Sequence, residues 1–354
     1  MHHRVEMREP FSPVEVRDLI SLRVSEVSEV AAARRAAKSL TGRFGFSETG
    51  AGNVALVVTE AATNLVKHAT GGEILLYALQ SGRIGGIEVL ALDRGPGIAN
   101  VGQALRDGYS TTGSPGTGLG AIERLAAFFD IYSLPGAGTA LLGRLWSEPV
   151  PATPTSPLEV GAVSLPKPGE DVCGDRWAAA WFPDRTLILV ADGLGHGPGA
   201  AEAALEAVRT FHEQADLTLT AIVEAIHAAL RSTRGAAVAV AEVSPLRKDV
   251  RFAGLGNIGG MVFTTEGSRQ MVSHNGIAGH SARKIQEFDY PWSSGALLIQ
   301  YSDGLVAHIR LERYPGLLKR HPDLIAATLY RDYARGRDDV SVVVAREPQS
   351  GETG

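Results

Sequence analysis

The chain has 354 residues, which at roughly 100 to 200 residues per domain reads as two domains rather than one. With 44% hydrophobic and 21% charged residues each half can bury a core, which excludes extensive disorder. A balance of 34 Lys plus Arg against 39 Asp plus Glu, net charge -5, leaves no basic surplus for a phosphate backbone and argues against nucleic acid as a partner.

Apolar spacing of 3.6 predicts helices over 26–44 and 53–69, followed by strands at 74–79 and 87–92, a mixed layer of helix and sheet. Composition breaks at 147–157, SEPVPATPTSP, where four prolines in eleven residues favour an extended path and mark the domain boundary. Beyond it, short runs rich in Val, Ile, Leu and Trp predict strands at 158–165, 176–182, 186–191, 236–243, 250–254, 261–263, 296–301 and 340–345. Helical patterns interrupt them at 199–215, 218–232 and 322–335, so the second half reads as stacked sheets flanked by helices. The partition is an N-terminal segment 1–13, a first domain 14–146, the linker 147–157, a second domain 158–346 and a disordered tail 347–354. A single cysteine, Cys173, forms no disulfide framework, no run of about 18 apolar residues is present, and the start lacks a signal peptide's apolar core. The expectation is a cytoplasmic protein with no membrane partner.

In the second helix Glu60, Asn64 and His68 recur every four residues and share one face, while Val57, Val58, Ala61, Leu65 and Val66 cover the others. Alone, that is the solvated stripe of an amphipathic helix. Next, 92–98, LDRGPGI, ends an apolar strand in Asp93 followed by Gly95 and Gly97, which permit a sharp turn. The run 111–120, TTGSPGTGLG, leads into the helical pattern AIERLAAFF; glycines before a helix N-terminus leave backbone N–H groups free to cradle phosphate. No Lys follows, which excludes a Walker-type P-loop. Last comes GAGT at 136–139, before an apolar run.

In this order and spacing the four elements resemble the N, G1, G2 and G3 boxes of the GHKL ATPase superfamily, the Bergerat fold, over about 14–146. The resemblance is closest to the anti-sigma-type serine kinases and stressosome switch kinases, the RsbT-like group, and it implies ATP with Mg2+. Asn64 would then hold magnesium, and Glu60 would be the general base for a substrate hydroxyl. Asp93 would accept from the adenine amino group, with Gly95 and Gly97 shaping that pocket. Thr112, Gly116, Gly118, Leu119 and Gly120 would wrap the phosphates, and Thr139 would back the adenine. Such chemistry asks mainly for positioning, charge neutralisation and one carboxylate near the incoming hydroxyl. His68 is assigned to capping or packing.

In the second half, Asp175, Asp192, Asp303 and the pair Asp338 and Asp339 each stand beside an apolar run. Asp-Gly steps mark ordinary hairpin turns, but acidic residues at strand ends can also converge to hold hard cations through oxygen. The ordered set GD, ADGLGHG, SDGL and DDVS is similar to the PPM-type phosphatases of the SpoIIE branch, specifically the compact RsbX-like group, over about 158–345. The resemblance implies two Mn2+ or Mg2+ held by Asp175, Asp192, the Gly193 carbonyl, Asp303 and Asp338, with Asp339 set aside. Asp192 and Asp303 are the expected catalytic pair. Two cations would activate a water and clamp phosphoryl oxygens without a protein nucleophile. Cys173 then packs as a small hydrophobe, and His196 either donates a proton or fills space.

Together these imply an α+β chain of two domains. The N-terminal one would be a Bergerat-fold α/β sandwich, a mixed sheet with helices on one face, and the C-terminal one a PPM-type α-β-β-α sandwich. The implied function is a bifunctional partner-switching regulator. It would phosphorylate and dephosphorylate a STAS-domain anti-anti-sigma or stressosome protein, with a sigma factor as a further partner and a homodimer as a plausible assembly. Two alternatives stay open: a module that binds a sigma factor or STAS partner with structural ATP, fused to an active phosphatase, or a phosphatase gated by ATP binding.

Overall fold

The computed structural model of the chain describes residues 15–69, 71–106, 118–150, 156–282 and 284–348. Within these the packing divides into two units, 15–150 together with 312–331, and 156–311 together with 332–348.

The first unit begins with β1 (Glu15–Val24), α1 (Val27–Arg43) and α2 (Glu48–His68). Then come β2 (Gly72–Ser81), β3 (Ile84–Asp93), a short α3 (Val101–Ala104), α4 (Gly118–Leu125), β4 (Phe128–Ser133) and β5 (Thr139–Trp146). The Ser47 side chain caps α2 by accepting from the Gly50 N–H. The sheet order is β1-β2-β3-β5-β4. Every pairing in it is antiparallel, which corrects the expected mixed sheet. The reason is local: β2 and β3, like β4 and β5, are joined by connections too short for the crossover that parallel neighbours require. Period-two alternation then assigns the faces. Ile74, Leu76, Ile87, Val89 and Leu141 pack with Leu40, Val57, Val58, Leu65 and Ile122 from the helices. Their neighbours Leu75, Tyr77, Leu90 and Leu142 are just as buried, on the opposite face.

The second unit contains β6 (Glu159–Leu165), β7 (Asp175–Trp181), β8 (Thr186–Gly193), α5 (Pro198–Glu213) and α6 (Leu219–Ala229). There follow β9 (Ala236–Ser244), β10 (Asp249–Leu255), β11 (Gly259–Thr264), β12 (Gly267–Gln270), β13 (Gly276–Ile277), β14 (Ser281–Ala282) and β15 (Glu287–Pro291). The last strands are β16 (Leu297–Tyr301) and β17 (Val340–Arg346). Two five-stranded sheets, β15-β10-β9-β8-β7 and β12-β11-β16-β17-β6, form its layers. Alternate residues of β8 and β9 separate its cores: Leu187, Leu189, Val238 and Val240 pack under α5 and α6. Ile188, Val190, Ala239 and Ala241 meet Leu298, Val343 and Ala345 of the second sheet.

The final helix, α7 (Pro322–Tyr333), lies in sequence between β16 and β17, yet its residues up to Arg331 pack with the first unit. There 312–331 meet the second face of the five-stranded sheet. Arg144 of β5 bonds both Glu88 and Asp323. The Arg320 side chain and the His321 N–H donate to Asp130, and the Tyr330 hydroxyl donates to Glu73. The sheet's helices were expected on one face and α7 in the second domain; the packing differs because that face is apolar at its centre and carries carboxylates and Arg144 at its margin.

Two candidate active sites

In the first unit the site is built where α2, the end of β3 and the start of α4 meet. Glu60 and Asn64, one turn apart on α2, are half-buried and face the N-terminus of α4. A Cβ placed on Gly118 would stand 3.0 Å from Glu60 Oε2 and 3.6 Å from Asn64 Oδ1, which puts both groups beside the start of α4. The carboxylate and the amide therefore lie beside a helix N-terminus, whose free N–H groups favour anions.

Asp93 ends β3 with its Oδ1 accepting from the Gly95 N–H at 2.7 Å and the Thr139 N–H at 3.2 Å. Its second oxygen carries no hydrogen bond among the described residues. Burial pushes the Asp93 carboxyl up, opposed by those two amides and by the charges of Arg331 and His68. Gly138 holds φ +83°, and a Cβ there would lie 2.0 Å from the Asp93 carbonyl oxygen. Gly97 turns at φ +70°, and the Thr139 hydroxyl is tied to Ser133 Oγ at 2.8 Å. Leu119 and Gly120 lie in the first turn of α4, whereas Thr112 and Gly116 fall outside the described residues. A described helix start beside a carboxylate and an amide, and an aspartate with one acceptor oxygen that carries no hydrogen bond among the described residues, suit a nucleotide's phosphates and a base's amino group.

In the second unit, strand pairing assembles the acidic site. Asp175 at the start of β7 stands directly across from Asp192 near the end of β8. In the other sheet the end of β16 adjoins the start of β17, the Ser302 N–H donating to the Ser341 carbonyl, which sets Asp303 beside Asp338 and Asp339. The two sheet ends meet at Gly174, where an added Cβ would lie 2.6 Å from Asp339 Oδ2. Asp192, Asp303 and Asp338 all line one cavity of about 530 Å³, together with Asn257, His196, Lys167 and Arg337.

Burial pushes Asp192 up to about 9, with Asp175, Asp303, Asp338 and Asp339 adding repulsion. Burial also drives Asp175 up to about 7, opposed by the Ser302 hydroxyl and reinforced by Asp339 and Asp303. Among the described residues no three His, Cys, Asp or Glu side chains are grouped to hold an ion as they stand. The chemistry of the donor set nonetheless fits hard divalent cations: an all-oxygen, mutually repelling cluster in which the buried Oδ2 atoms of Asp175 and Asp339 have no hydrogen-bond partner.

The sequence missed several residues of this cavity. The Asn257 amide donates to Asp303 Oδ2 at 2.7 Å. Lys167 and Arg337 enter the cavity from loops with no motif of their own. Asp339 Oδ1 accepts from the Lys167 N–H at 2.8 Å, while its Oδ2 carries no hydrogen bond. His196 Nδ1 pairs with Glu170 at 2.7 Å. Burial pushes the Cys173 thiol up to about 12, so it is no nucleophile at neutral pH.

Comparison with known proteins divides along the same lines. Residues 24–142 match the histidine kinase-like ATPase domain family, and residues 183–348 match the family described as stage II sporulation protein E (SpoIIE). The chain is 28% identical over 129 residues to serine/threonine-protein kinase RsbT of Bacillus subtilis (strain 168), spanning 36% of this chain and 97% of that protein. A solved structure described as "The bacterial stressosome: a modular system that has been adapted to control secondary messenger signaling" is 29% identical, with a TM-score of 0.50, covering 53% of this chain and 99% of that one. RsbX in complex with magnesium is 19% identical with a TM-score of 0.47, covering 54% and 96%. One part of the chain is thus similar to histidine kinase-like ATPase domains and to the serine/threonine-protein kinase RsbT, and a later, separate part is similar to SpoIIE. No helix among the described residues is long and apolar enough to cross a membrane.

Proposed function

We propose that the protein is a bifunctional regulator of a bacterial partner-switching pathway, adding phosphate to a serine or threonine of a STAS-domain protein and removing it from the same residue. The observation that carries this reading is the coexistence of a carboxylate-amide pair facing a helix N-terminus in one unit and a repelling aspartate cluster around a cavity in the other.

In the kinase direction, Asp93 Oδ2 receives the adenine amino group and the α4 N-terminus receives the phosphates. Asn64 holds Mg2+, and Glu60 takes the proton of the incoming hydroxyl. In the phosphatase direction Asp175, Asp192, the Gly193 carbonyl, Asp303 and Asp338 would hold two Mn2+ or Mg2+ ions. When bound, those ions supply charge neutralisation and a water activated at neutral pH. Asn257 fixes the Asp303 carboxylate, and Lys167 and Arg337 give the cavity the positive charge that a phosphoryl group meets. Sigma-factor binding, the cytoplasm as the site of action and a homodimer belong to the same reading.

The test is incubation with labelled ATP and a native STAS protein. Label should enter the STAS protein, and Glu60→Ala should abolish labelling while preserving ATP binding. In the reverse assay, release from the phosphorylated STAS protein should need Mn2+ or Mg2+ and be lost in Asp192→Ala. A chain that binds ATP but labels no native STAS protein contradicts the kinase half; release unchanged in EDTA contradicts the metal half.

A further inference from the structure

The chain crosses from one packing unit to the other at a chemically loaded place. The guanidinium of Arg331, buried on α7, donates to the carbonyl oxygen of Asp93 at 2.9 Å. That is the aspartate to which the proposed function assigns the base, and the oxygen is the one that crowds Gly138. Two residues of helix separate Arg331 from Tyr333, which meets the loop after Asp303. The Val306 N–H donates to the Tyr333 carbonyl at 3.0 Å, the Arg335 N–H to the Gly304 carbonyl at 2.8 Å, and Leu305 bridges Ala334. Asp303 is the residue before that clamp and Asp338 lies three residues after Arg335. The only links needed are a hydrogen bond, two residues of helix and a short backbone ladder, each packed within its own unit.

We propose that Arg331 is a positioning residue of the nucleotide pocket, supplied by the segment the chain threads between Asp303 and Asp338, and that it links nucleotide binding at Asp93 to the order of the Asp303 loop. The inference rests on Asp93 as the base-recognising residue of the proposed function. A nucleotide that engages the Asp93 carboxylate fixes the end of β3, hence the carbonyl that Arg331 holds, hence the last turn of α7 and the ladder beyond it. Linkage makes the effect reciprocal, so ordering of the Asp303 loop by a divalent cation favours nucleotide binding by the same factor. Opposed activities in one chain would thereby sense one another without a separate sensor domain.

The experiment uses the full chain and two readouts besides turnover. ATP and GTP affinities are measured by calorimetry, and amide exchange at Val306 and Arg335 is followed with and without saturating ATP. In the unsubstituted protein ATP should slow exchange at both amides by about 5-fold or more, the lower end of typical coupling. Arg331→Met should weaken ATP binding by a similar factor, narrow the preference for ATP over GTP, and remove the exchange response even when ATP saturates the variant. Arg331→Lys, which keeps a charged donor, should restore part of each and serves where the methionine variant folds poorly. A purely structural arginine would leave base preference untouched. Unchanged ATP affinity in Arg331→Met, or an exchange response that survives in it at saturation, overturns the inference. Asp93→Asn separates this from the underlying reading: if it binds ATP as the unsubstituted chain does, the nucleotide site is wrongly located and both fall.

Discussion

One oxygen of Asp93 is committed to two amides and the other carries no hydrogen bond among the described residues, and the difference predicts how a conservative change behaves. Oδ1 is committed to the Gly95 and Thr139 N–H groups, and an asparagine can keep both bonds through its carbonyl. Its amide NH2 would replace the second acceptor with a donor facing the adenine amino group. Asp93→Asn should therefore lose about 1–3 kcal/mol of ATP binding, roughly a 5- to 150-fold weaker Kd by calorimetry, with little change in thermal stability. An unchanged Kd would remove Asp93 from the pocket. Asp192 makes the converse case, since burial and then its neighbours Asp175, Asp303, Asp338 and Asp339 disfavour its charge. At neutral pH in EDTA, Asp192→Asn should raise Tm because an amide escapes the cost of protonation that burial and its neighbours impose on the carboxyl, while added Mn2+ should raise the Tm of the unsubstituted chain more than that of the variant, by mass action. A lower Tm for the variant in EDTA would mean that Asp192 is held by bonds rather than strained by charge.

At the scale of elements, α7 is the least local decision in the fold. Its docking on the first unit includes Arg144, which reaches Glu88 on one side and Asp323 on the other. Burial and the nearby Asp323 push Glu88 up to about 7, with Arg144 opposing. Arg144→Leu should leave Glu88 buried without its cation and cost about 3–5 kcal/mol in a denaturant melt; a loss under about 1 kcal/mol would show the ion pair to be well solvated. Sequence patterning could not show this docking, because a helix's apolar stripe does not say which sheet it will cover. Among the strands that escaped, β12 to β15 included, two of the first unit did so for more local reasons. The register of β1 shifts between Val16 and Asp18, and that irregularity breaks the period-two signal over its first half. The run AIERLAAFF reads as one helix, yet α4 stops at Leu125 and Phe128 opens β4, because two aromatic residues suit either state. By contrast α2, β2 and β3 were legible because their burial is one-sided or continuous over many residues.

At the scale of the whole molecule, the candidate sites were readable to the extent that their residues sit in short motifs at element ends. Glu60 with Asn64, Asp93 with its glycines, and Asp192 with Gly193 each combine a chemical group with the local geometry that presents it. Asn257, Lys167, Arg337 and Arg331 were not readable, since each acts through a partner at least 46 residues away in the chain or through a cavity wall that only folding creates. The central claim is that one chain both writes and erases one phosphate. It is tested most directly by phosphosite mass spectrometry on a single STAS protein treated with two single-site variants. With ATP, the Asp192→Ala chain should load phosphate onto one serine or threonine. With Mn2+ and no ATP, the Glu60→Ala chain should clear that same residue. Loading and clearing at different residues, or failure of either variant to act on a STAS protein that the chain binds, would contradict the account.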